Sequence, residues 1–144
     1  NFRNINHING NLYNSKISDS ELRNLYQRSK LILVPLHDVY QPSGQSVTLQ
    51  AMACQKPVIL SKTKGIFDTM HLKNNINIKL ISPNNPEMLQ KSILALLNNK
   101  RLRDLIATKA RKTVIDHFTL SHMSLSLESI LDKTLILRSS NEKK

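Results

Sequence analysis

Leu31-Ile32-Leu33-Val34-Pro35, followed after a polar loop by Ser43-Gly44-Gln45-Ser46-Val47-Thr48-Leu49-Gln50-Ala51-Met52-Ala53-Cys54-Gln55-Lys56-Pro57-Val58-Ile59-Leu60, is the stretch whose reading decides the fold. The opening apolar run, stopped by a proline, has the pattern of a strand buried on both faces in a parallel sheet. From His37 to Gln45 the composition turns polar, and Pro42-Ser43-Gly44 marks a tight turn. Ser46 is then in position to cap a helix over Val47 to Cys54, which is apolar on nearly every side and is expected to be buried against the sheet. Gln55 and Lys56 connect it to a second buried strand, Pro57 to Leu60. Strand, loop, helix and strand in that order predict a βαβ unit with parallel strands and a right-handed crossover.

Outward from this unit, Ser18-Asp19-Ser20-Glu21 reads as a capping box opening a helix with Leu22, Leu25 and Tyr26 at helical spacing, ending near Ser29. Further upstream, Asn1 to Asn14 alternates Ile5 and Ile8 with polar residues, which predicts a short strand entering a loop. Downstream, Ser61 to Gly65 is a loop, Ile66 to Met70 a helical turn, and Ile76 to Ile81 a third strand. Pro83-Asn84-Asn85-Pro86 initiates a helix whose apolar stripe is Met88, Leu89, Ile93, Leu94 and Leu97. Two more helices are expected, Lys100 to His117 and Ser121 to Leu137, the latter carrying Met123, Leu125, Leu127, Ile130 and Leu131. The fold class is α/β: a Rossmann-like parallel sheet flanked by helices, with a helical C-terminus. One domain over 1–138 and a charged, disordered tail over 139–144 are the expected organisation.

With 144 residues there is room for one core, or for part of a larger domain. The chain starts at Asn1 rather than Met, which suggests the cut edge of a longer protein. Twenty-one Lys and Arg against ten Asp and Glu give a net charge of +11, which suits anionic partners. Nucleic acid is not expected among them, since there is no Trp and no RNA-binding aromatic motif. The denser basic stretch, Lys100, Arg101, Arg103, Lys109, Arg111 and Lys112, reads as a solvated helix face. Only three glycines are present, which excludes a glycine-rich phosphate loop or dinucleotide fingerprint. The lone Cys54 permits no internal disulfide and reads as a buried structural thiol, in keeping with a cytoplasmic setting. His7, His37, His71, His117 and His122 offer no pair at zinc spacing, so neither a metal nor a cofactor is expected. No apolar run approaches the ~18 residues of a membrane span, so membrane contact would be peripheral, at the inner face.

In open parallel sheets ligands bind beyond the carboxyl ends of the strands, and the loop after Val34 is such a place. It runs into a helix N-terminus, where free amides and the dipole favour an anion such as a phosphate. Gly44 either lets the backbone approach a ligand or simply satisfies the turn. Gln50, a polar residue inside an apolar helix, must find partners, either in the neighbouring loop or in hydroxyls of a ligand lying over the helix.

The run from Ser43 to Ile59 resembles the donor-binding signature of GT-B glycosyltransferases, especially the retaining family four, in which a loop enters a helix ending Glu-Ala-Met-Ala before a Gly-Lys-Pro-Val-Ile turn and strand. The segment from Leu22 to Pro35, Gly65-Ile66-Phe67-Asp68 and the helix from Pro86 to Leu97 are similar to that family as well. The resemblance implies a C-terminal domain that binds a nucleotide-diphosphate sugar, and transfer to a glycan, lipid or cell-surface polysaccharide precursor held by a separate N-terminal domain. It implies donor-sugar and diphosphate contacts at Gln41, Ser43, Gly44, Gln45 and Ser46, and ribose contact at Gln50. No catalytic side chain is implied, because in such enzymes the leaving phosphate itself helps to deprotonate the acceptor. The family's two glutamates are replaced here: Gln50 stands at the second, and neither Pro42 nor Gln41 at the first is acidic. Its usual turn glycine is Gln55. Two upstream βα units are unmatched, so the chain taken alone is expected to be inactive.

Overall fold

The computed structural model describes residues 17–141, with side chains as far as Thr134; the strand expected around Ile5 and Ile8 lies outside the described residues. Helix α1, Asp19–Arg28, starts with the predicted capping box: Ser18 Oγ accepts from the Glu21 amide, and Glu21 accepts from the Ser18 amide at 2.8 Å. Strand β1, Ile32–Val34, helix α2, Gln45–Ala53, and strand β2, Val58–Ser61, form the βαβ unit. Strand β3, Lys79–Ile81, completes a three-stranded parallel sheet of order β1-β2-β3. Helices α3, Pro86–Asn98, α4, Lys100–His117, and α5, Leu120–Asn141, follow.

β2 is the strand buried on both faces, and its side chains alternate as strand geometry requires. Val58 and Leu60 join Met52, Ala51, Tyr26 and Ala110 on the α2 side, while Ile59 packs with Ile81, Leu96 and Ile106 on the α3 side. β1 departs from expectation. Among the described residues it is an edge strand, as β3 is, and Leu33 is 40% exposed because its outer face has no covering element there. The α3 stripe is likewise shifted: Ser92 and Leu96 are buried, while Leu94 and Leu97 face outward. Asn85 caps α3 and Asn99 caps α4, each side chain accepting from the amide three residues on.

A further expectation is corrected. Residues Ile66 to Met70 form bends and irregular backbone instead of a helical turn, held by Asp68, whose carboxylate accepts from both the backbone and the ring of His71. The last helix runs from Leu120 to Asn141, with neither Gly nor Pro to interrupt it.

The basic residues have structural work beyond solvation. Lys56 Nζ donates to the Gln27 carbonyl at 2.6 Å, Arg103 to those of Leu96 and Leu97 at 3.3 and 3.2 Å, and Arg111 to that of Ala53. Each cation sits on carbonyls in the last turn of α1, α3 or α2, where the negative end of the helix dipole lies. Lys100 and Lys112 instead pair one turn along α4 with Asp104 and Asp116.

Candidate functional site

The segment from Pro35 to Gly44 leaves the carboxyl end of β1 and is tied down at three points. Leu36 N–H donates to Ser61 Oγ at 3.0 Å, from the buried last residue of β2. Asp38 accepts from the Lys64 amide at 2.9 Å, with the Lys64 ammonium 3.9 Å away. The Gly65 amide donates to the Val39 carbonyl at 2.8 Å. A Cβ on Gly65 would lie 2.2 Å from the Tyr40 carbonyl oxygen, so only glycine lets the two loops approach this closely.

Gly44 ends the segment in the left-handed region, φ 75°, as the N-cap of α2. Its carbonyl accepts from the Thr48 amide at 3.0 Å, so the first turn closes from Gly44 and the helix begins at Gln45. Ser46 is therefore inside the helix and is not its cap, contrary to expectation. Turn geometry accounts for the glycine, since this φ strains any residue carrying a Cβ. No side chain caps α2, and its first turn holds no acid, so the amides at its start are left unpaired by the helix.

Of the predicted site residues, Gln41, Ser43, Gly44, Gln45 and Ser46 come together as one continuous loop and helix start, with Gln41 and Ser46 exposed. Gln50 is not buried, which corrects the reading of α2 as buried on nearly every side: Thr48, Ala51 and Met52 face the core, while Ser46, Val47 and Gln50 are exposed. Ser46 and Gln50, four residues apart, share one face of the helix. Gln50 finds its protein partner on a neighbouring helix and not in loop backbone: its Oε1 accepts from the Tyr26 phenol at 3.1 Å. Tyr26, Gln50, Leu22, Arg23 and Cys54 line a groove of about 270 Å³ between α1 and α2. Cys54 is thus half-buried at this rim. A larger groove of about 400 Å³ lies at the strand ends, where His37 and Ser61 meet Asn84 and Asn85.

Sequence reasoning missed Tyr26, Asp38, Ser61 and Lys64. Tyr26 carried a signal, being a polar-tipped residue in an apolar stripe, whereas nothing local marks the pairing of Asp38 with Lys64. Both acids between Glu21 and Glu87 are committed, Asp38 to Lys64 and Asp68 to His71. Among the described residues no group of three metal-binding side chains occurs, and no helix is long and apolar enough to cross a membrane.

The family model for "Glycosyl transferases group 1" matches residues 9–113, more than half of the chain. This chain belongs to the group 1 glycosyl transferases. An uncharacterized glycosyltransferase of Methanocaldococcus jannaschii is 27% identical to this group 1 chain over 103 residues, 72% of the chain and 25% of the relative. A glycosyltransferase of Rickettsia africae superposes with a TM-score of 0.68 at 28% identity, covering 81% of this chain and 30% of that one. An Anabaena protein solved with UDP superposes at 0.67 with 21% identity, covering 79% and 30%, and the C-terminal domain of a Francisella tularensis group 1 protein at 0.61 with 20%, covering 72% and 51%. The fold is that of GT-B glycosyltransferase C-terminal domains. The group 1 chain spans about a quarter of the length of the curated relative and about 30% of the first two solved chains.

Proposed function

We propose that this chain is the donor-binding part-domain of a retaining family four glycosyltransferase, and that it holds a nucleotide-diphosphate sugar along the exposed face of α2. The carrying observation is the uncapped N-terminus of α2 with Ser46 and Gln50 on one exposed face above it. Four residues of helix rise about 6 Å, a span suited to a diphosphate at Gly44 to Ser46 and a ribose at Gln50. The donor sugar then extends toward Gln41 and Ser43, and the nucleoside base toward the α1–α2 groove. The Anabaena neighbour, solved with UDP and with UDP-glucose, accords with such a donor.

The residues named here bind and orient rather than react. Amides at the start of α2 and the dipole behind them stabilise charge as the diphosphate departs, a contribution that needs no protein nucleophile. The acceptor, a glycan, lipid or polysaccharide precursor, sits on the other domain of the whole enzyme, at the cytoplasmic side and in peripheral contact with the inner membrane face.

Gln50→Ala in the intact protein should weaken nucleotide-sugar binding by roughly 2- to 12-fold, the factor for about 0.5–1.5 kcal/mol of one hydrogen bond. Unchanged affinity by calorimetry removes Gln50 from the ribose. A second reading, a nucleotide-sugar-binding module without catalysis, is favoured by the absence of any acid at Gln41, Pro42 or Gln50; binding without transfer by the intact protein would select it.

A further inference from the structure

The donor face of α2 meets α1 through one polar contact, and that contact decides which atom Gln50 can offer a ligand. Tyr26 is 8% exposed, in the last two turns of α1, and its phenol donates to Gln50 Oε1 at 3.1 Å. A phenol hydroxyl is both donor and acceptor, and a primary amide has one accepting and one donating end. The amide could therefore in principle sit either way round. Among the described residues, however, Oε1 is the only acceptor of the Tyr26 proton. Reversing the amide would turn the NH2 group toward the phenol and leave that proton without a protein partner at the wall of the groove, which disfavours the reversed orientation.

We infer that Tyr26 is a positioning residue that locks the Gln50 amide with Oε1 inward and Nε2 outward, so that Gln50 meets the ribose of the donor as a hydrogen-bond donor. The inference rests on the proposed placement of the ribose at Gln50. Its consequence is chemical. A carboxylate at this position can only accept from ribose hydroxyls, whereas the locked amide donates to a hydroxyl oxygen and leaves the hydroxyl proton for another acceptor. Gln50 is then not a weakened glutamate but a contact of opposite sense. Burial and the nearby Cys54 push the Tyr26 phenol up, which preserves its donor role across the working pH range. Tyr26 touches no ligand itself; it acts through Gln50.

The test is a double-mutant cycle on the intact protein, with the tightest-binding of UDP, GDP and ADP as probe and dissociation constants from calorimetry. Gln50→Ala should weaken binding several-fold. Tyr26→Phe, which keeps the ring and its packing, should weaken it about 2-fold, because the freed amide samples both orientations and only one is competent. In the Gln50→Ala background Tyr26→Phe should have no further effect, a coupling that a merely structural tyrosine would not produce. If Gln50→Ala weakens binding while Tyr26→Phe alone leaves it within experimental error, or weakens it equally in both backgrounds, the positioning role is overturned and the ribose placement survives. If Gln50→Ala changes nothing, or the wild type binds none of the three nucleotides at millimolar concentration, the ribose placement falls and takes this inference with it.

Discussion

Gly65→Ala tests the central claim about how the site loop is held. The added Cβ would stand 2.2 Å from the Tyr40 carbonyl oxygen and 2.4 Å from its carbon, and these are backbone atoms with no rotamer to escape into. Relief requires the Val39–Tyr40 segment to retreat by more than 1 Å, measured against ordinary contacts of about 3.5 Å. Overpacking of this kind costs about 1–3 kcal/mol. The retreat also stretches the 2.8 Å hydrogen bond from the Gly65 amide to Val39, worth about 1 kcal/mol. Against this, alanine lowers the entropy of the unfolded chain, returning about 0.4–1 kcal/mol. The net expectation is a loss of about 2 kcal/mol. With a urea slope near 2 kcal/mol/M, the unfolding midpoint should fall by about 1 M. The same displacement carries Gln41 and Ser43 away from the start of α2, so nucleotide affinity should fall too, measured at a temperature where the variant is fully folded. Gly44→Ala is the control. Its strain comes from φ 75°, and its Cβ meets side-chain atoms of Val34 and Leu36 that can move. A Gly65→Ala midpoint within about 0.2 M of wild type would refute the claim that close backbone approach makes this position glycine.

Two further outcomes follow from local geometry. Gln55, φ 57°, closes α2 in a Schellman arrangement, its amide bonded to Met52 O at 2.9 Å and that of Lys56 to Ala51 O at 3.0 Å. Gln55→Gly relieves a left-handed strain of about 1–2 kcal/mol and adds about 0.4–1 kcal/mol of unfolded-chain entropy, so it should stabilise by roughly 0.5–1 kcal/mol in urea unfolding; a loss of stability would contradict this. Burial pushes the Asp68 carboxyl up, but hydrogen bonds from the ring and backbone of His71 outweigh it and hold the group below the usual aspartate range. Its contribution is therefore complete above the unfolded value, about 3.9, and is lost as pH falls through the lower folded value. The stability gap between wild type and Asp68→Asn should narrow as pH drops from 6 to 2, and a gap that widens toward acid would show the sign to be wrong.

Much of the fold was legible because its signals are short-range. The capping box at Ser18 and Glu21 and the asparagine–proline start at Asn85 and Pro86 each depend on residues within three or four positions, and both formed as read. The signature from Ser43 to Ile59 likewise carried the family. The misreadings occurred where a residue type has two local outcomes. Ser46 is a good cap, but the left-handed Gly44 closed the helix two positions earlier. An apolar run such as Leu31 to Val34 looks the same in an edge strand as in a central one. In the sequence Gln50 looks like a buried amide because its neighbours are apolar, yet a half-exposed helix gives it the outer face.

By itself, then, the chain's order of apolar runs, caps and turns determined an α/β unit with parallel strands and a helix delivering its N-terminus to a loop beyond the sheet. What only the tertiary structure decided is how that loop is held and how Gln50 is oriented. Asp38 meets Lys64 and Leu36 meets Ser61 across gaps of 26 and 25 residues, Tyr26 meets Gln50 across 24, and Arg111 reaches the end of α2 across 58. Helix and turn formation is governed by the few residues on either side of each position, whereas these pairings exist only after β1 and β2 have aligned in register and brought the loops at their ends together.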